Sequence, residues 1–226
     1  METGPAAVTL DLDDTLCRYD RSTADLLALA FDRADVEPFF TAAEFVATIP
    51  TVTGESPLDL RRKCFRVLAA ENGRSVAVAD RLAEQYPERD PTAVSFLPGA
   101  REALDSLADH HRLALVSNGE PSHQRAKLET LGISGAFETT VFGTPETGVK
   151  PDPEPFYRVL DALGVQSERA VHVGNSLASD VVGAQAAGIP AVWLRADGSA
   201  DDETVPEYVV DDLAELHRRP FPWEQG

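Results

Sequence analysis

Lysine is scarce in this chain, with only Lys63, Lys127 and Lys150 in 226 residues. Asp and Glu number 38 against 20 Lys and Arg, a formal net charge of −18. The acid is spread along the whole chain and not gathered in a tail. Such a surface repels phosphate backbones and anionic lipid, so nucleic acid and membranes are excluded as expected partners. It suits concentrated salt, where screening removes self-repulsion. A salt-adapted cytoplasmic protein is therefore expected, with an ordinary acidic protein as the plainer alternative. No apolar run approaches the roughly 18–20 residues of a membrane span. The opening "METGPAAVTL" has no basic segment and no long apolar run, so no secretion signal is expected.

Cysteine is nearly missing too. Cys17 and Cys64 form no C-x-x-C, and neither has the paired histidine of a thiol nucleophile, so both are read as small reduced hydrophobes. The five histidines make no metal pattern; His172, between two valines, is read as packed in or beside the core. There is no internal repeat and no low-complexity tract. With 43% hydrophobic and 26% charged residues, the chain is globular and long enough for a sizeable core.

From about residue 96 short apolar strands alternate with amphipathic helices. "RLALVSN" precedes a helix near 121–131, "FETTVFG" one near 153–163, and "RAVHVGN" one near 177–187; "PAVWLRA" and "EYVVDD" follow. "AAVTLDL", near the start, has the same character. Near-continuous apolar strands separated by helices predict βαβ units and a parallel sheet. Residues 17–95 differ: helical spacing recurs near 21–34, 41–48, 57–72 and 78–85, with no strong strand. An α/β core of residues 1–16 and 96–226, interrupted by a helical insert over 17–95, is the predicted organisation.

The polar residues at the strand ends carry the chemistry. In an open parallel sheet, ligands bind beyond the carboxyl ends of the strands. "DLDDT" crowds Asp11, Asp13 and Asp14 at one such end, and ionised carboxylates so close need a positive partner. Asp11 and Asp13 flank Leu12 and point the same way in an extended chain, so they can divide nucleophile or metal binding from proton transfer. Ser117, Asn118 and Gly119 offer a hydroxyl and main-chain N–H groups at a helix start, a setting for an anion and equally for an ordinary turn or cap. Lys150 lies in "TGVKPDPEPF", on a fixed loop before a helix, where an uncommitted lysine is scarce enough here to be read as functional. Gly174 permits close backbone approach, and Asp180 lies in a first helical turn, where capping alone could also explain it.

Together these segments resemble the haloacid dehalogenase-like hydrolase superfamily. "DLDDT" resembles its first motif, D-x-D-x-T/V; "LVSN" its second; Lys150 its third; and "VGNSLASDVVGA" its fourth, usually G-D-x-x-x-x-D. The resemblance covers residues 5–16 and 96 to about 212, and the insert corresponds to the family's helical cap. It implies a Rossmann-like parallel-sheet core and a Mg²⁺-dependent phosphomonoesterase acting on a small soluble phosphate ester. By position, Asp11 is implied as the nucleophile that forms an aspartyl-phosphate, and Asp13 as the acid and base. Ser117, Asn118 and Lys150 are implied to hold the phosphoryl oxygens. Asp11, Asp13 (through its main-chain carbonyl), Asn175 and Asp180 are implied as the metal set. Asp13 speaks against the metal-independent 2-haloacid dehalogenases of the same family, which generally lack it. Asn175 departs from the usual first Asp of motif four and removes one negative charge, which keeps open a noncatalytic phospho-ligand or partner-binding protein on the same fold. In the insert, Arg61, Arg62 and Arg66 stand as candidates for an anionic substrate group, against the alternative of a solvated salt-bridged helix face.

Overall fold

The structure is a computed structural model that describes residues 4–195, 204–217 and 221–224. The chain divides into two compact units, residues 1–19 with 94–226, and residues 20–93. In chain order the elements are β1 (Ala7–Leu10), β2 (Cys17–Tyr19), α1 (Thr23–Ala34), α2 (Ala42–Thr48), α3 (Pro57–Glu71) and α4 (Val76–Gln85). There follow β3 (Val94–Phe96), α5 (Ala100–Ala108), β4 (Arg112–Ser117), α6 (Pro121–Thr130), β5 (Thr139–Phe142) and α7 (Glu154–Leu163). The last are β6 (Ala170–Gly174), α8 (Val182–Ala186), β7 (Ala191–Leu194) and β8 (Tyr208–Val210). Ala196, at the end of the strand expected in "PAVWLRA", lies outside the described residues.

Six strands form one sheet in the order β5-β4-β1-β6-β7-β8, and every neighbouring pair is parallel. Because side chains alternate across a strand, each central strand feeds two cores. Val8 and Leu10 join Leu113, Leu115, Val171 and Val173 on one face. Ala7 joins Ala114, Val116, Phe156 and Val159 on the other. Burial on both faces is why these strands read as unbroken apolar runs. The chain leaves β1 towards β4 and β5 and returns to pair β6 on the opposite side, so the strand order reverses at β1. That is the position where open α/β sheets place a ligand crevice.

The unit of residues 20–93 is helical. Ser22 with Asp25, and Thr41 with Glu44, close capping boxes that start α1 and α2. Phe31, Phe40, Phe45, Phe65 and Tyr86 pack ring on ring in a buried cluster that also holds Cys64. Arg61, Arg62, Lys63 and Arg66 lie on α3. Arg61 pairs with Glu88, Arg62 with Glu84, Lys63 with Asp59 and Arg66 with Asp80, so this face is laced with ion pairs within its own unit.

Both ends of the insert differ from the sequence expectation. Residues 17–19 and 94–96 pair as a two-stranded antiparallel ribbon in the α/β unit, although all of them but Phe96 were expected in the insert. Strands of three residues are too short to show an alternating pattern. Among the described residues no helix is long and apolar enough to cross a membrane. Cys17 and Cys64 are both buried and unpaired.

Candidate active site

β1 ends in a loop whose apolar and acidic residues separate. Leu12 and Leu16 drop into the core, and the amides of Leu16 and Cys17 both donate to the carbonyl of Leu12. Asp14 takes the left-handed conformation at φ 57° that closes this turn, which Asp tolerates better than most residues. Asp11, directly beyond the strand, is 6% exposed. Its Oδ1 accepts from Lys150 Nζ at 2.7 Å and its Oδ2 from the Thr15 hydroxyl at 3.2 Å.

Lys150 is also buried and spends all three ammonium hydrogens, on Asp11, on Asp180 Oδ1 at 2.5 Å and on the Val116 carbonyl at 2.7 Å. The positive charge between two of the strand-end carboxylates is thus supplied by the chain itself. Burial pushes the Lys150 ammonium down, but Asp11 and Asp180 outweigh it and hold the group above the ordinary lysine value. Asn118 fixes the loop that carries this lysine. Its Oδ1 accepts from the Lys150 N–H and its Nδ2 donates to the Lys150 carbonyl, both at 2.8 Å. The Asn118 side chain is therefore spent on the main chain of Lys150.

Asp180 enters through a π-type turn, Leu177–Val181, that precedes α8. Its Oδ2 accepts from the Ser176 N–H at 3.0 Å. A Cβ on Gly174 would lie 2.4 Å from Asp180 Cγ, so only glycine leaves room for this carboxylate. His172 stands behind it. Its Nε2 is 3.4 Å from Asp180 Oδ1 and its Nδ1 is 2.9 Å from the Thr9 hydroxyl. A bare Nε2 facing a carboxylate would repel, so Nε2 carries the hydrogen and Thr9 donates to Nδ1. Burial pushes the imidazole down, which keeps it neutral. Burial raises Asp180 as well, but the His172 hydrogen bond and the Lys150 charge outweigh it and hold this acid below the usual carboxylate range.

Asp11 is the opposite case. Burial, aided by the charge of Asp180, overcomes Lys150 and lifts its pKa to about 7. Two oxygens, Asp11 Oδ2 and Asn175 Oδ1, each lie 3.2 Å from the Thr15 hydroxyl, which has one hydrogen to give. An under-donated carboxylate oxygen beside a neutral amide oxygen is a donor set for a small hard cation. Asp180 is committed to Lys150 and His172, and the Asp13 carboxylate turns to other partners. Among the described residues no three His, Cys, Asp or Glu side chains converge on one point. Asn175 is anchored by its own carbonyl, which accepts from Trp193 Nε1 at 2.9 Å.

Asp13 is gripped by two residues that sequence reading passed over. Lys127 Nζ donates to its Oδ1 at 2.5 Å and Gln124 Nε2 to its Oδ2 at 2.7 Å. Burial lowers Lys127, but Asp13 outweighs it and keeps the ammonium charged. The same Gln124 amide donates to Ser117 Oγ at 2.9 Å. The rule that singled out Lys150, a lysine at the site in a lysine-poor chain, applies equally to Lys127. A cavity of about 440 Å³ is lined by Asp14, Arg18, Asn175, Leu194 and Leu213 within the same unit.

The sequence matches the haloacid dehalogenase-like hydrolase family over residues 5–188, and the chain belongs to that family. It is a hydrolase, of the phosphatase kind. It is 34% identical over 197 residues to the phosphoglycolate phosphatase of Rhodospirillum rubrum, spanning 84% of this chain and 79% of that one. To the phosphoserine phosphatase of Thermus thermophilus it is 38% identical over 165 residues, 69% of this chain and 63% of that protein. In fold it is similar to the magnesium-bound HAD-hydrolase YfnB of Bacillus subtilis, with a TM-score of 0.71 at 22% identity over 95% of this chain and 98% of that one.

Proposed function

We propose that this phosphatase hydrolyses small, soluble phosphate monoesters by passing the phosphoryl group through Asp11. The observation that carries the reading is the buried Asp11 carboxylate at the end of the central strand, held at 2.7 Å by a lysine that is itself locked in place. An ionised Asp11 Oδ attacks phosphorus, and the bond from phosphorus to the ester oxygen breaks. Asp13 is placed to pass a proton to the departing oxygen. Asp13 then takes a proton from water, and the water oxygen attacks phosphorus, releasing phosphate and restoring Asp11. Both steps are displacements at a crowded anion, so positioning and charge neutralisation supply most of the catalysis.

Lys150 orients Asp11 and neutralises phosphoryl charge. Ser117 Oγ accepts from Gln124 and, at 3.4 Å, from the Gly119 N–H, which leaves its own hydrogen to donate to a phosphoryl oxygen. In this reading oxygens of Asp11 and Asn175, with the main-chain carbonyl of Asp13, would hold Mg²⁺ as the cofactor. Bound there, it would favour the ionised Asp11 carboxylate and offset negative charge on the phosphoryl group. The 440 Å³ cavity is in the range that small organic ligands occupy. The charge of −18 and the two reduced cysteines support a cytoplasmic setting and a substrate that is not nucleic acid.

The test is hydrolysis of an aryl phosphate in concentrated KCl, with and without Mg²⁺, beside an Asp11→Asn control. Mg²⁺-dependent turnover that the control abolishes is the expected result. Turnover that survives in the control refutes Asp11 as nucleophile. Inactivity of the wild type across a broad phosphate panel, with no Mg²⁺ binding by calorimetry, would favour the noncatalytic reading that Asn175 keeps open.

A further inference from the structure

The inward face of α6 is unusual. Its buried residues are Gln124, Lys127 and Leu128, so two of the three side chains it turns inward are polar. Gln124 and Lys127 are three apart and share one helix face. Gln124 is fully buried and Lys127 is 2% exposed. Both converge on Asp13, whose side chain remains 36% exposed towards solvent. The Lys127 ammonium also lies 4.3 Å from the ring centre of Tyr19, which closes the other side of the charge.

The orientation of the Gln124 amide follows from its partners. Placing Oε1 against Asp13 Oδ2 at 2.7 Å would set two acceptors face to face, so the NH₂ group points there. Its two hydrogens go to Asp13 and Ser117. Oε1 is left buried with no partner among the described residues. A glutamine placed only for stability would not leave an acceptor stranded; here two directed bonds are kept at the expense of a third. The backbone is arranged to admit it: a Cβ on Gly119 would lie 1.6 Å from Gln124 Nε2.

We propose that Gln124 and Lys127 are positioning residues, which together hold the Asp13 carboxylate in its place for proton transfer while Gln124 ties it to Ser117. The inference rests on the phosphatase reading above, in which Asp13 protonates the departing oxygen. One amide thereby sets the distance between the residue that protonates the leaving oxygen and the residue that donates to a phosphoryl oxygen. Lys127 supplies the second anchor, which stops the carboxylate from rotating about the first.

The test uses the full chain with Mg²⁺ and compares wild type, Gln124→Met, Lys127→Met and Lys127→Arg on p-nitrophenyl phosphate and phenyl phosphate. The first leaving group departs readily without a proton; the second needs one. The quantity read is kcat/KM, which reports the first phosphoryl transfer. Misplacing a general acid forfeits about 10²–10⁴-fold where protonation matters. The expected result is a loss of at least about a hundredfold on phenyl phosphate and under about tenfold on p-nitrophenyl phosphate. Lys127→Arg recovers part of the phenyl phosphate rate. Gln124→Met melts no lower than wild type, because it removes the stranded acceptor. Equal losses on both substrates, or wild-type rates in both methionine variants, overturn the inference and leave the phosphatase reading intact. Wild-type inactivity on both substrates, or activity surviving Asp11→Asn, removes that reading and this inference with it.

Discussion

Replacing Lys150 by methionine removes the ammonium and leaves a side chain of similar length in its pocket. Two buried carboxylates, Asp11 and Asp180, then share a site with no cation, and the Val116 carbonyl loses its donor. Breaking a buried pair by deleting one partner is destabilising by about 3–5 kcal/mol. For a chain of this size about 1 kcal/mol moves the melting temperature by about 2–4 °C, so the variant is expected to melt about 6–20 °C lower at pH 8. The effect carries a pH signature. In wild type, Asp180 is held below its usual range, so its contribution is present above the unfolded carboxylate value near 4 and is lost only as pH falls through its folded value. Without Lys150 both acids bind protons more tightly in the folded state, so the variant gains relative stability as pH falls. The deficit should therefore shrink to less than half between pH 8 and pH 5. Thermal unfolding followed by circular dichroism in Mg²⁺-free buffer, at fixed ionic strength and several pH values, measures this. A deficit independent of pH, or a melting temperature unchanged at pH 8, would falsify the assignment of Lys150 as the charge that makes this carboxylate cluster tolerable.

Three further outcomes are expected. Asp11 titrates at about 7 when folded and near 4 when unfolded, so it favours the folded state at low pH, and that contribution is lost as pH rises from 4 through 7. Asp11→Asn has no such loss, and its melting temperature should gain on wild type across that window; parallel pH profiles would contradict the raised value. Gly174→Ala places a Cβ 2.4 Å from Asp180 Cγ, and should lower both the melting temperature and kcat/KM; an unchanged melt would show that the π-type turn yields more easily than its packing implies. Asn175→Asp adds a charge to the oxygen pair around Thr15 and should tighten Mg²⁺ binding at least about tenfold by calorimetry, with a lower melt when Mg²⁺ is absent; unaltered affinity would take Asn175 out of the cation site.

The frame of the α/β unit was readable because the physics that builds it is local and repetitive. A parallel strand buried on both faces must be apolar throughout, and its following helix must be amphipathic, so "LALV" and "AVHV" mark themselves. Glycine and acid at fixed offsets beyond such strands mark the rim. Lys150 was found by scarcity and by its loop. What stayed hidden depends on contacts between residues far apart in the chain. Gln124 and Lys127 are polar residues inside a helix, and only the fold shows that they face Asp13. The side-chain amide of Asn118 is spent on the main chain of Lys150, 32 positions away, a contact no local pattern announces. His172 was expected in the core, but nothing in a valine-flanked histidine announces that it supports Asp180. The three-residue strands of the ribbon carry no periodic signal.

That ribbon has an engineering consequence. The helical unit begins at Asp20 and ends at Ala93, and these two residues are joined by a main-chain hydrogen bond of 3.0 Å. Its ends are therefore neighbours in space, like the ends of a cassette. Loop-closure entropy grows only with the logarithm of loop length, so an insert whose ends already meet places little demand on the host whatever its size. Evolution, or a protein engineer, can exchange the whole segment for a short turn or for another bundle at the same two residues. The strand-end machinery of Asp11, Asp13, Ser117, Lys150 and Asp180, with the hydrogen bonds that join these residues, lies entirely in the other unit.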